Sequence, residues 1–260
     1  MGMAGSSAEG RARRVALIGY GKIGRTVAQH VRELGCEVAF ALDPVAEAED
    51  GTTIVRTGSP ELYEGIDLVV ECATAAALVA QIDDVLERTN LMPFSLTAFS
   101  DDDVLERAKR TAQEHGHAIY LPHGAILGLD GIWDARSILT EVSIATTKSP
   151  ASLGLAACSE PKTVFEGCTR DACAAFPRNV NVHAAVALAG IGFSRTHSMI
   201  VADPNVTTNT HVISVKGEGI EFTLNISSFT TGGVTGVYTP LSACGSLDRV
   251  LKDAGGLSFV

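Results

Sequence analysis

The chain has 260 residues, 46% of them hydrophobic, and a formal net charge of −10. A chain this long buries a core without disulfides or metal, and so apolar a composition excludes general disorder. The acidic balance argues against a nucleic acid or an anionic membrane surface as partner, since both need a basic face. Its six cysteines, Cys36, Cys72, Cys158, Cys168, Cys173 and Cys244, form no CxxC pair and no zinc spacing with histidine, which predicts a reducing, cytoplasmic setting and no metal. Met1–Arg14 is Gly/Ser/Ala-rich and then basic, and is expected to be a disordered tail. It lacks the apolar core of a signal peptide, and MGMAGS fits the N-myristoylation pattern only loosely. The longest apolar run, Val182 to Phe193, is interrupted by His183 and too short to span a membrane.

The stretch VALIGYGKIG, Val15 to Gly24, reads as a buried strand closed by a GxGxxG turn, with a helix pattern from Arg25 to Leu34 directly after it. The chemistry asks for glycine three times. Gly19 permits the tight turn, Gly21 lets backbone approach a pyrophosphate, and Gly24 lets helix and strand pack; Lys22 and Ile23 lie between them at the phosphate-binding helix start. Glu37 to Leu42 reads as a second strand. It ends at Asp43, about 20 residues on, where a carboxylate accepts hydrogen bonds from an adenosine ribose.

Strand and helix then alternate. Ile54 to Arg56 is a short strand candidate, Ser59 to Glu64 a helical turn, Asp67 to Cys72 a buried strand, Ala75 to Arg88 a helix, and Pro93 to Ala98 a strand. Ser100 reads as the cap of a helix running to about His115, with Asp103 as its capping-box partner, and Ala118 to Leu121 as a further strand. This alternation implies a parallel sheet whose ligands bind at the C-terminal strand ends, which brings Ala73, Thr74 and the turn starting at Ser95 beside the glycine loop.

After Pro122 the pattern changes. A glycine-broken stretch, His123 to Asp130, leads to a short helix from Gly131 to Ser137 and a strand from Thr140 to Thr147, with a loop from Lys148 to Leu155. A short strand from Thr163 to Glu166, a helix from Thr169 to Phe176 and an alanine-rich helix ending at Ala189 follow. Three strand candidates close the region, His197 to Ala202, Asn209 to Lys216 and Ile220 to Ser228, the last two joined by a Gly217-Glu218-Gly219 hairpin turn. Ser242 to Ala254 reads as a final helix packing back on the first domain. The expected fold is α/β: a dinucleotide-binding parallel-sheet domain over residues 15–122 plus 239–260, then an α+β domain with a largely antiparallel sheet over 123–238.

The chain has no GxSxG elbow, no Walker A and no HExxH, so hydrolase, kinase and metalloenzyme chemistry lacks support. Among the seven histidines, His211 shares a strand face with Asn209, Ile213 and Val215, and His123 leaves a strand end facing the expected cleft; both have the ordinary acid–base range of a catalytic group. His183, on an apolar helix, reads as a satisfied core histidine.

Taken in order, GYGKIG, ECAT at Glu71–Thr74, HGAILGLD, TKSPASLG at Thr147–Gly154, VFEG, FPRNVNV and VADP…NTH at Val201–His211 resemble the NAD(P)-dependent L-aspartate dehydrogenase family, over about Val15 to Phe229. The resemblance implies a Rossmann domain followed by a dimer-forming sheet domain, and reversible oxidation of L-aspartate to iminosuccinate, linked to NAD biosynthesis. It implies that His211 is catalytic and that Ala125 and Asn181 contact the cofactor. Lys148 and Arg178 fall in its motifs, and their charge suits the substrate's carboxylates; His123 and Asn209 are further substrate candidates. Asp43 favours NAD over NADP by repelling a 2′-phosphate. Two departures bear on the substrate: His123 stands where relatives have serine, and Thr231–Gly236 lacks a lysine found in an Asn-Pro-Lys-Thr-Ser stretch. Two other readings stay open, a related reductase for another amino, imino or keto acid, and a non-catalytic dinucleotide-binding protein. Dihydrodipicolinate reductase has a similar layout, but its His-His-x-x-Lys motif is missing here, and homoserine dehydrogenase resembles only the first domain.

Overall fold

The computed structural model describes residues 11–48, 50–229 and 237–252. The first half builds one sheet. Its strands are β1 (Arg14–Ile18), β2 (Glu37–Leu42), β3 (Ile54–Val55), β4 (Leu68–Glu71) and β5 (Asn90–Pro93), all parallel, in the order β3-β2-β1-β4-β5. The strands are apolar on both faces because both faces are covered. Val15 and Leu17 pack on one side with Val27, Ala28 and Val31 of α1 (Lys22–Glu33), while Ala16 and Ile18 face the other core with Leu78, Ile82 and Val85 of α2 (Ala75–Leu86). The helix α3 (Asp102–His115) packs beside α2 and ends at Gly116, whose φ of 72° completes a left-handed C-cap.

The second half contains α4 (Leu129–Ala135), β6 (Leu139–Lys148), β7 (Lys162–Cys168), α5 (Thr169–Ala175), α6 (Asn181–Ala189), β8 (His197–Ala202), β9 (Thr208–Gly217) and β10 (Ile220–Phe229). Its sheet runs β10-β9-β6-β8-β7, antiparallel except between β6 and β8. One face is sealed by α4 and α6, and alternation puts Asn209, His211, Ile213 and Val215 of β9 on it. The other face carries half-exposed Thr210, Val212 and Ser214. The final helix α7 (Tyr238–Leu251) returns to the first sheet, where Ala243, Leu247 and Leu251 join the core under α1 and Asp248 lies 2.8 Å from His30.

Several boundaries differ from the sequence reading, each for a local reason. Residues 11–14, assigned above to the tail, are held: Arg14 opens β1 opposite Glu37, and Arg11 reaches the Asp67 carboxylate at 2.8 Å. The strand expected from Pro93 to Ala98 runs instead from Asn90 to Pro93, where it pairs with β4. The chain then leaves the sheet in a 3-10 turn, Leu96–Ser100, because Thr97 N–H is drawn to the Asn181 side chain and its hydroxyl to the Pro177 carbonyl. The cap of α3 is Asp101, not Ser100. The Asp101 carboxylate accepts from two N–H groups, whereas the Ser100 hydroxyl is used on the Thr97 carbonyl. Ala118–Leu121 forms a single bridge, Ile119 to Leu91, in place of a strand.

Candidate active site

The three glycines meet three different demands. Gly19 has φ of 93°, and an added Cβ would sit 2.8 Å from that of Ala73. A Cβ on Gly24 would land on the Gly19 carbonyl, so α1 packs against the turn with backbone alone. At Gly21 nothing lies within 4 Å of an added Cβ. This leaves the backbone at the start of α1 open to close approach by an anion. Asp43 stands at the end of β2. Its carboxylate accepts from Tyr20 N–H at 2.9 Å and from Val45 and Ala46 N–H at 2.9 and 2.8 Å, and about one lone-pair site is left for a ribose hydroxyl. Burial raises the Asp43 carboxyl, but these backbone bonds and Arg56 more than offset it and hold it below its usual range.

A cavity of about 610 Å³ adjoins the loop through Ile23 and opens between the two sheets. Cys72, Ala73 and Thr74 line it after β4, and Phe94, Ser95 and Leu96 after β5. Buried Glu71 ties those strand ends together, accepting from Ala73 N–H at 2.6 Å and from Ser95 N–H and Oγ at 2.9 and 2.8 Å. The second half supplies His123 and Ala125 from the loop, Lys148 from the end of β6, Arg178 and Asn181 before and within α6, and Asn209 and His211 from β9. Gly19, Gly21, Lys22, Gly24 and Asp43 do not line this cavity and belong to the adjoining loop region. The segment Thr231–Gly236 lies outside the described residues.

The polar groups here have directions. Asn181 Oδ1 accepts from Thr97 N–H at 3.1 Å, which leaves its amide N–H groups as donors to the cavity. Lys148 is only 4% exposed, and its Nζ lies 3.5 Å from the Asn179 carbonyl. No carboxylate among the described residues pairs with it, and burial lowers its pKa to about 8. His211 is buried beside it, and burial first, then the charge of Lys148, lowers its pKa to about 3, so the ring is neutral near pH 7. Its Nδ1 is 2.8 Å from Thr146 Oγ1, which leaves Nε2 for the cavity. Burial and the nearby Arg249 charge lower His123 as well. Asn179 Oδ1 and Ser228 Oγ, on residues lining the same cavity, find no hydrogen-bond partner among the described residues.

Sequence reasoning missed Thr146, Ser228 and Glu71, and it set His183 aside. The first two were within reach. Strand parity puts Thr146 on the face of Lys148, and Ser228 pairs in register with Asn209.

Among the described residues no group of three or more His, Cys, Asp or Glu could hold a metal, and no helix is long and apolar enough to cross a membrane. Open glycine backbone at a helix start, leading into a cavity with a neutral histidine and a lysine, defines a Rossmann-type NAD(P)-dependent dehydrogenase. Residues 19–122 match the family model described as homoserine dehydrogenase, NAD binding domain, and residues 131–250 that of aspartate dehydrogenase, C-terminal. An L-aspartate dehydrogenase of Methanosarcina acetivorans is 31% identical over 92% of this chain and 97% of that protein; one of Methanococcoides burtonii is 35% identical over 73% and 76%. The crystal structure of aspartate dehydrogenase from Thermotoga maritima superposes with a TM-score of 0.76 at 27% identity, covering 93% of this chain and 96% of that one. The chain belongs to the L-aspartate dehydrogenase family.

Proposed function

We propose that the protein oxidises L-aspartate to iminosuccinate with NAD(P), the imine then hydrolysing to oxaloacetate and ammonia, and that it runs the reverse reductive amination. One observation carries this reading: in a chain of net charge −10, no Asp or Glu among the described residues lines the cavity, while Lys148 and Arg178 both do. A small dianion suits that arrangement, with its two carboxylates taken by the two cations. The relatives' names make L-aspartate the first choice.

Bound NAD(P) supplies the hydride acceptor. The chain's residues do the rest. The N–H groups around Gly21 and the start of α1 hold the pyrophosphate, with Lys22 and Ile23 beside it. Asp43 takes a ribose hydroxyl and disfavours a 2′-phosphate. Ala73, Thr74, Ser95, Ala125 and the amide of Asn181 frame the nicotinamide end. Lys148 and Arg178 fix the substrate, with His123 and Asn209 at the same wall. His211, neutral and with Nε2 facing the cavity, accepts the proton that the substrate's ammonium releases before its α-hydrogen leaves as hydride.

We read the chain as two domains, 15–122 plus 239–260 for the dinucleotide and 123–238 for catalysis, and as a cytoplasmic homodimer serving NAD biosynthesis. The six unpaired cysteines support the compartment. The half-exposed sheet face with Ala145, Thr147, Val201 and Val212 supports self-association.

The test is NAD(P)H formation from a panel of amino acids at alkaline pH: L-aspartate beside D-aspartate, glutamate, homoserine and alanine. Turnover with L-aspartate alone is expected. No turnover with L-aspartate from a protein that still binds NAD would overturn the substrate assignment and point to a pocket rebuilt around His123.

A further inference from the structure

Behind His211, on the side away from the cavity, runs an unbroken line of buried polar side chains. His211 Nδ1 meets Thr146 Oγ1 at 2.8 Å, and the same oxygen meets His183 Nε2 at 2.7 Å. His183 Nδ1 meets Ser198 Oγ at 2.9 Å, and Ser198 Oγ meets Thr169 Oγ1 at 2.8 Å. The line ends where the Thr169 hydroxyl donates to the Thr196 carbonyl at 3.1 Å. Five side chains from β9, β6, α6, β8 and α5 take part, and all are buried. A line of this kind has only two consistent proton arrangements, because each hydroxyl and each neutral imidazole has one hydrogen to give.

The fixed end selects between them. A carbonyl only accepts, so Thr169 gives its hydrogen to Thr196. Thr169 Oγ1 therefore accepts from Ser198, and Ser198 Oγ accepts from His183 Nδ1–H. His183 Nε2 then holds a lone pair and takes the hydrogen of Thr146. Thr146 Oγ1 in turn accepts from His211 Nδ1–H, and the lone pair of His211 is left on Nε2. The opposite arrangement gives up the bond to Thr196 and turns an N–H toward the cavity, where it faces an ammonium that it cannot deprotonate.

We infer that Thr146, His183 and Ser198 are positioning residues that hold His211 in its Nδ1–H tautomer, with the basic Nε2 presented to the substrate's amino group. This rests on the reading of His211 as the acid–base group. The neutrality the line needs is supplied by burial, which lowers both histidines, and by the Lys148 charge beside them. After His211 takes a proton, its Nδ1–H goes on donating to Thr146, so accepting the proton needs no rearrangement behind the ring.

Thr146→Val removes the hydroxyl at nearly constant shape, and Thr146→Ser restores it. The expected result is a fall in kcat for L-aspartate of about 10- to 100-fold in the valine variant, with KM and NAD affinity within roughly twofold, and recovery to within about threefold in the serine variant. A valine variant with the parent kcat, or a serine variant as impaired as the valine one, overturns the inference. Nitrogen-15 NMR of the ring-labelled parent protein reads the tautomer directly, with the His211 signals assigned by their absence from His211→Ala. The expected pattern is a protonated Nδ1 and a bare Nε2, and a protonated Nε2 on the neutral ring overturns the inference even where the Thr146 variants do not fold. Failure of the underlying reading looks different: His211→Ala would then keep its turnover.

Discussion

The two sheets hold their halves of the candidate site by opposite means. Around the first, the binding surface is made by what is missing: no side chain at Gly21, and no room for one at Gly19 or Gly24. Around the second, it is made by side chains that alternation drives into the protein, Lys148, Asn209 and His211, where each polar atom must find a partner or a ligand. Backbone N–H groups recognise a phosphate whatever the rest of the ligand is. Buried polar groups at fixed spacing recognise one small molecule. The family matches divide in the same way, the first region matching the NAD binding domain of homoserine dehydrogenases and the second the C-terminal part of aspartate dehydrogenases.

Substitutions in the second region should therefore change turnover and substrate use with NAD binding intact, and those in the first should do the reverse. The largest effect is expected for His211→Ala, with kcat lower by about 100- to 10,000-fold and an unchanged NAD titration; a parallel loss of NAD binding would erase the contrast between the regions. Lys148→Met comes next. Loss of a charge-assisted contact worth roughly 1.5–3 kcal/mol raises the KM for L-aspartate by about 10- to 100-fold. The same lysine sets a pH limb. With its pKa lowered to about 8, it is charged below that pH and neutral above, so kcat/KM for L-aspartate falls as pH rises through about 8. That limb should be absent from the Lys148→Met profile. On the other side, Gly24→Ala pushes α1 off the turn; chemical denaturation should show a loss of roughly 1–3 kcal/mol, and NAD should bind more weakly with the L-aspartate KM unmoved. The smallest effect is for Asp43→Ser, a several-fold rise in the NADP-to-NAD ratio of kcat/KM, since one ribose contact of roughly 1 kcal/mol is at stake.

What was legible in the chain follows the same division. The turn Gly19–Gly24 and the strand before it are local, so residue spacing sufficed. Interleaved apolar runs gave the parallel sheet, and the hairpin at Gly217–Gly219 was equally plain. The errors fell where distant groups compete for a local one. Ser100 looked like a cap until the Thr97 carbonyl took its hydroxyl, and the segment after Pro93 looked like a strand until Asn181 drew it aside. His183 was read as a satisfied core residue, and it is satisfied; its partners, one of them bonded to His211, lie on β6 and β8, and no spacing within α6 could reveal that.

The return of α7 to the first sheet has a consequence for how the protein is made. Ala243, Leu247 and Leu251 close the core that Val15, Leu17 and Val27 begin. A ribosome builds the strands of that sheet well before α7, so the sheet stays bare along one flank until residues 238–251 have emerged. The first sheet's core therefore reaches its finished form only after the second sheet, which lies between β5 and α7 in the chain, has already been synthesised.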